Sequence, residues 1–243
     1  SDADNETASS YILGATYRLN EKTMLKGSVD RKIQFPSIRQ LYDPDAGNPG
    51  LKPERALEYE LGVVQDLPMN TTGSATGFIN DAKNFIEKDD ALNLFRNFEH
   101  YYFKGIELTL ENKAIKDLTL KAMYSYLYSK DKSAGSALDE LQYRPGNKFT
   151  IEGTYSLESG FTAYASMLYV AHQYFYSNDT AVPLQKKELN NFTLVNMKVG
   201  QAVLKNKLEV YLGVNNLMDE NYEQSYGLPQ PGRTVYGGVI ARF

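Results

Sequence analysis

Apolar and polar residues alternate along most of this chain in runs of about eight to eleven positions, the period-two pattern of a strand with one greasy face and one wet face. The clearest run covers residues 207–217, where Leu208, Val210, Leu212 and Val214 alternate with Glu209, Tyr211, Gly213 and Asn215. Tyr11, Leu13, Ala15, Tyr17 and Leu19 make a second apolar stripe, and Leu57, Tyr59, Leu61 and Val63 a third. The pattern repeats over residues 106–110, 118–126, 149–157, 161–169, 195–199 and 235–243, with weaker runs around 23–31 and 72–81. Together these predict about eleven strands.

The connections between the runs are by turns short and long. Those at 19–23, 67–72, 111–118, 157–160 and 204–207 are brief. Those at 31–56, 86–102, 129–147, 172–191 and 217–233 far exceed the about 4 to 6 residues usual in a compact domain. All nine prolines fall outside the runs, eight of them in the long set, because proline breaks a hydrogen-bond ladder. Tight turns on one side of a membrane and long loops on the other are the mark of an all-β, antiparallel transmembrane β-barrel. The long connections are then extracellular.

Composition narrows the class. Hydrophobic residues make up 42%, mean hydropathy is −0.46, and no run approaches the about 18 apolar residues of a spanning helix. The absence of cysteine removes a disulfide framework, zinc-ribbon chemistry and thiol catalysis together. With 30 acidic against 26 basic residues, the net charge of −4 offers nucleic acid no general attraction. No nucleophile elbow, phosphate-cradling glycine loop or metal-ligand cluster is evident, and Glu58 and Glu60 read as lumen-facing charges rather than a catalytic pair, so no enzyme is expected.

The two ends point to part of a larger wall. Residues 1–7 have no basic region leading into an apolar core, so no signal peptide is read there. The first strand would run toward the short-turn side, and an odd number of strands departs from the even count of single-chain bacterial barrels. At the other end Val235, Gly237, Val239, Ala241 and the terminal Phe243 alternate like the strand that outer-membrane assembly machinery recognises. A last strand with one apolar face can be captured edge-on. The plain alternative is a soluble antiparallel strand that ends in Phe.

The segment Asn48-Pro49-Gly50-Leu51-Lys52-Pro53-Glu54, followed by Glu58 and Glu60, resembles the loop-to-strand motif of TonB-dependent outer-membrane receptors. Pro229-Gln230-Pro231-Gly232-Arg233 with Tyr236-Gly237 and Phe243 resembles the family's closing segment. Tyr143-Arg144-Pro145-Gly146-Asn147-Lys148 and Tyr102-Phe103-Lys104-Gly105-Ile106-Glu107 also sit where that family has similar pieces. The resemblance implies a barrel of about 22 strands around an N-terminal plug, energised through TonB by the inner-membrane proton gradient. Residues 1–243 would be the C-terminal portion of that barrel, its last eleven strands, without the plug, the TonB box or the first half of the wall. It further implies the outer membrane of a Gram-negative bacterium. The implied partners are outer-membrane lipid and lipopolysaccharide, the plug and first half of the same receptor, TonB through the parent, and the barrel-assembly machinery. No cofactor is implied. The family's interfacial tryptophans are missing, and tyrosines on the apolar faces, among them Tyr11, Tyr17, Tyr59 and Tyr124, could form the girdle instead.

The long connections hold the candidate ligand residues. Arg39, Tyr42, Phe95, Arg96, Tyr101, Tyr174, Phe175, Tyr176, Tyr222 and Tyr226 put aromatic faces and cations on the outer side, which suits a bulky, partly anionic cargo such as a ferric siderophore. The competing reading is that tyrosine clusters mark the upper membrane border. Asp43 and Asp45 have the opening spacing of a calcium loop, but no bidentate Glu follows at the required distance and an ordinary Asp/Gly turn fits better. Haem is a competing cargo within the family, but only His100 and His172 could ligate iron, and neither lies between Phe35-Pro36-Ser37 and the Asn48 motif. A siderophore or cobalamin-like cargo therefore ranks above haem. Two other classes stay open: a passive porin or structural barrel, and a soluble β-rich interaction module.

Overall fold

The computed structural model describes residues 9–89, 92–133, 140–177, 185–204 and 207–241. Among the described residues thirteen strands and one short helix follow one another as β1 Tyr11–Asn20, β2 Thr23–Gln34, α1 Ile38–Tyr42, β3 Glu54–Leu67, β4 Thr71–Asp89, β5 Leu94–Asn112, β6 Leu118–Asp131, β7 Asn147–Ser156, β8 Phe161–Ala171, β9 Tyr174–Ser177, β10 Gln185–Glu188, β11 Phe192–Val203, β12 Leu208–Asn215 and β13 Thr234–Ala241. Eleven form one sheet in the order β1-β2-β3-β4-β5-β6-β7-β8-β11-β12-β13, and β9 pairs β10 in a separate hairpin. Each strand of the large sheet pairs antiparallel with its neighbours, and β1 and β13 are its edges.

The register carries every predicted apolar stripe onto one side. Leu25, Val63, Ala75, Leu108, Tyr124, Phe149, Tyr169 and Thr193 stand opposite one another across eight successive strands. Val199, Leu212 and Gly237 continue that face across the last three. Because side chains alternate along a strand, the intervening positions all point the other way. There Asp30, Glu58 and Asn80 form one row, and Lys121, Glu152, Ser166 and Asn196 another.

None of the described residues covers the apolar side. Leu61 is 72% exposed and Leu212 57%, and Leu13, Ile106, Leu108, Val210 and Val239 are exposed as well. The buried hydrophobic residues lie toward the long-connection end, among them Ala46, Leu51, Ile86, Tyr101, Leu141, Phe175 and Phe192. A sheet that leaves its main apolar face bare and buries its core under its loops is built to meet lipid along the wall.

Three connections differ from expectation. Residues 86–102, read as a long loop, are mostly strand: β4 and β5 run 19 residues each and pair as far as Asp89 opposite Leu94. About 9 to 11 residues suffice to cross a membrane, so this hairpin overhangs it. Its upper part lost the period-two signal because Asn84 adopts a left-handed φ of +56°. There Phe85 and Phe98 both turn onto Tyr101, with ring centroids 5.1 and 5.7 Å away. The connection 172–191 contains the β9–β10 hairpin, and 31–56 contains α1, where Ser37 and Gln40 form a capping box. The weak runs at 23–31 and 72–81 are complete strands whose stripes are diluted by Gly27, Gly73 and Gly77.

Candidate functional site

The long connections fold onto the upper strand ends in two groups. In the first, the Ala46 carbonyl accepts the Phe95 backbone N–H at 2.8 Å, and Asn48 Nδ2 donates to the Phe95 carbonyl at 2.9 Å. This fastens the α1 connection to the β4–β5 overhang. Phe95 and Arg96 therefore lie on a strand instead of in a loop, and Arg96 Nη1 sits 2.8 Å from Asp89 Oδ2. Arg39 and Tyr42 lie on α1, both exposed, with Arg39 Nε 3.4 Å from Asp43 Oδ2.

Asp43 is engaged as a turn residue. Its Oδ1 accepts the backbone N–H of Asp45 at 3.0 Å and of Ala46 at 3.2 Å. These bonds, that to Asp45 foremost, hold its carboxyl below the usual carboxylate range. Among the described residues no group of three or more His, Asp or Glu side chains comes together to hold a metal ion.

Tyr101 corrects the expectation of an exposed aromatic face. It is 2% exposed, packed with Ala82 and Leu141, and its hydroxyl donates to Glu87 Oε2 at 3.1 Å. Burial and the neighbouring carboxylates Glu87 and Asp131 push its phenol far up, so it stays neutral. Glu87 is raised by burial too, against the pull of Arg144, whose Nη2 lies 3.3 Å from Glu87 Oε1. Arg144 was missed as a candidate because nothing local marks it: its partner lies 57 residues away.

The second group gathers over β8 and β11 to β13. Phe175 stacks on Tyr226 with centroids 4.3 Å apart, and Tyr222 packs against Phe192 at 4.6 Å. Phe175, Tyr222 and Tyr226 share a cavity of about 320 Å³ with Lys187, Glu188 and Glu223. Tyr174 and Tyr176 flank it on β9: Lys186 Nζ lies 4.1 Å from the Tyr174 ring centroid, and the Tyr176 hydroxyl donates to the Glu140 carbonyl at 2.9 Å. Three predicted aromatics thus meet at one cavity. Phe192 and Lys187 were not foreseen: Phe192 opens β11 between the connection read over 172–191 and the run read from 195, and Lys187 lies within that connection, on β10. His172 Nδ1 pairs with Glu188 Oε1 at 3.2 Å, and His100 Nε2 with Asp81 Oδ2 at 2.8 Å, so each imidazole has a carboxylate partner.

At the C-terminal strand Val235, Val239 and Ala241 stand opposite Val214, Val210 and Leu208, with Gly237 opposite Leu212. The alternation expected of an assembly signal is therefore present on β13, while Phe243 lies outside the described residues.

This arrangement defines a segment of transmembrane β-barrel wall, apolar without, polar within, and capped by ordered loops at one end. The model of the family "TonB dependent receptor-like, beta-barrel" matches residues 1–217, and the chain belongs to that family. It is 26% identical to the vitamin B12 transporter BtuB of Photobacterium profundum over 98% of its own length and 38% of the relative's. Among solved structures it resembles a mutant of the ferric enterobactin receptor PfeA of Pseudomonas aeruginosa, at TM-score 0.76 and 22% identity over 96% of this chain and 40% of that one. It also resembles the copper transporter OprC, at TM-score 0.70 and 19% identity over 95% and 39%. The chain spans about two-fifths of the length of these relatives.

Proposed function

We propose that the chain is the C-terminal part of the wall of an outer-membrane receptor that imports a scarce, bulky nutrient with energy delivered through TonB. The observation that carries this reading is the pairing of a bare apolar outside with an inside whose polar groups are not all satisfied by the wall itself. Among the described residues Asp30 Oδ1 and Asn80 Oδ1 find no hydrogen-bond partner though both atoms are buried, and both lie in the row of Glu58, whose carboxylate binds Lys32. Buried oxygens of this kind call for a further partner. A plug threaded through the lumen would supply donors to them, and to the other lumen-facing carboxylates Glu60, Glu107 and Glu152 along the wall. The two unpaired edges, β1 and β13, would join the rest of the wall.

Cargo would be met at the loop end, where Phe175, Tyr222 and Tyr226 offer ring faces beside Lys187. That chemistry suits a ferric siderophore or a corrinoid with a planar or aromatic periphery. Uptake of ferric enterobactin and of cobalamin by cells carrying the whole receptor tests the reading. Uptake of one of them should require TonB and the proton gradient, and should fall about tenfold when Phe175 and Tyr226 are both replaced by alanine. A receptor that passes small solutes freely and indifferently to TonB would instead be a passive pore.

A further inference from the structure

We propose that residues 140–144 are a strut through which the β4–β5 overhang holds Phe175 at the cavity, and that Arg144 is a positioning residue for the cargo. The inference rests on the reading of that cavity as the place where cargo is met. The hairpin that carries Phe175 has little of its own to hold it. β9 and β10 are four residues each, they form a sheet apart from the wall, and β10 is exposed throughout. A lone two-stranded hairpin is marginal in water. Its placement therefore depends on what docks against β9.

Residues 140–144 dock along the edge of β9 that β10 leaves open. The Tyr143 N–H donates to the Tyr174 carbonyl at 2.9 Å, and the Gln142 side-chain carbonyl accepts the Tyr176 N–H at 3.3 Å. A backbone group and an amide side chain thus take the place of a third strand. Glu140 closes the row: its N–H donates to the Tyr176 hydroxyl at 3.1 Å, and its carboxylate lies 3.5 Å from Lys186 Nζ on β10. Because side chains alternate, the Phe175 ring leaves β9 on the face away from Tyr174 and Tyr176, where it is buried against Tyr226.

The rest of the segment reaches the other way. Leu141 is buried with Ala82 and Tyr101, and Arg144 pairs with Glu87, whose second oxygen takes the Tyr101 hydroxyl. Tyr143 makes this division possible. Its φ of +55° turns the chain between the N–H given to β9 and the guanidinium given to the overhang. A bulky residue keeps a left-handed backbone only where its surroundings over-determine it. Loss of either set of contacts lets the turn relax and so loosens the other. The two loop groups are coupled through one strained residue, and such coupling acts in both directions.

Binding and hydrogen exchange on the whole receptor in detergent test the proposal, with ferric enterobactin and cyanocobalamin as probes. Arg144→Met should weaken binding of the probe that the receptor takes about fivefold, and should lower amide protection at 174–177 even with no probe present. Arg144→Lys, which keeps a cation for Glu87, should restore most of both. In a Phe175→Ala background Arg144→Met should weaken binding no further, since Arg144 acts through that ring. Bound probe should in turn raise protection at 94–101. Lys88→Gln, which removes an exposed charge on the same overhang, should change neither. Unchanged protection at 174–177 in Arg144→Met, or a loss of binding that adds in full to that of Phe175→Ala, overturns the strut. Lost protection with binding unchanged, or a native receptor that takes neither probe, overturns the cargo reading of the cavity and Arg144's part in it, while protection at 174–177 decides the strut by itself.

Discussion

β12 and the upper half of β5 belong to one antiparallel sheet, yet different solvents hold them in place. In β12, Leu208, Val210, Leu212 and Val214 face outward, Val210 and Leu212 exposed and the other two half-buried, while Glu209, Tyr211 and Gly213 face the lumen. Its apolar side is satisfied by a lipid environment. In the upper half of β5, Phe98 and Tyr101 pack on Phe85, Ala82 and Leu141 to make a core out of the protein itself. The point along β5 where strict alternation gives way to a buried cluster therefore marks where the strand leaves the membrane.

Removing the anchor of the overhang should have the largest effect. Tyr101→Ala should cost about 3 to 5 kcal/mol in the β4–β5 overhang, read as lost hydrogen-exchange protection around 94–101 with β12 unaffected. Equal loss of protection in β12 would show that the two regions are not separately supported. On the wall, Leu212→Arg should cost about 2 to 4 kcal/mol in bilayer-folding titrations, while Glu209→Arg on the opposite face costs far less. Similar costs at both positions would erase the distinction between the faces.

Two smaller effects sharpen the contrast. Gly105→Ala should destabilise by about 1 to 3 kcal/mol, because its Cβ would press on the Tyr126 carbonyl and the Phe78 ring, whereas Gly77→Ala has room. Thermal melting in detergent distinguishes the pair. The least effect concerns pH. Burial raises the Glu87 carboxyl, with Asp131 and Glu54 adding to it and Arg144 and the Tyr101 hydroxyl opposing it. A raised acid favours the folded overhang while it is protonated, so protection there should be highest at acidic pH and decline as pH climbs through the raised value. Glu87→Gln should flatten that decline, and an unchanged profile would mean that Glu87 does not govern it.

The wall was legible because a membrane imposes a two-sided pattern residue by residue, and the stripes at 57–63, 118–126 and 208–214 are that pattern written out. What stayed hidden depended on contacts distant in sequence. Asn84 resets the alternation of β4 by its backbone alone, and the partners that make 86–102 a hairpin, Phe85 with Tyr101 and Glu87 with Arg144, carry no local periodicity. The ligand residues were legible as types and not as a site. Phe175, Tyr222 and Tyr226 could be listed from the sequence as loop aromatics, but their meeting depends on how β9 and the last long connection stack. Tyr101 shows the reverse, a loop-end aromatic whose ring is spent on packing.

The central claim is that one sheet separates lipid from a polar lumen, and single cysteines in this chain, which has none of its own, make it directly measurable. Single cysteines placed in turn at Leu208, Glu209, Val210, Tyr211, Leu212 and Val214, carrying a fluorophore in the bilayer-reconstituted receptor, can be quenched from either side. The account predicts lipid-borne quencher acting on positions 208, 210, 212 and 214 and aqueous quencher on 209 and 211. Uniform aqueous quenching along β12, or an alternation of the opposite phase, would contradict it.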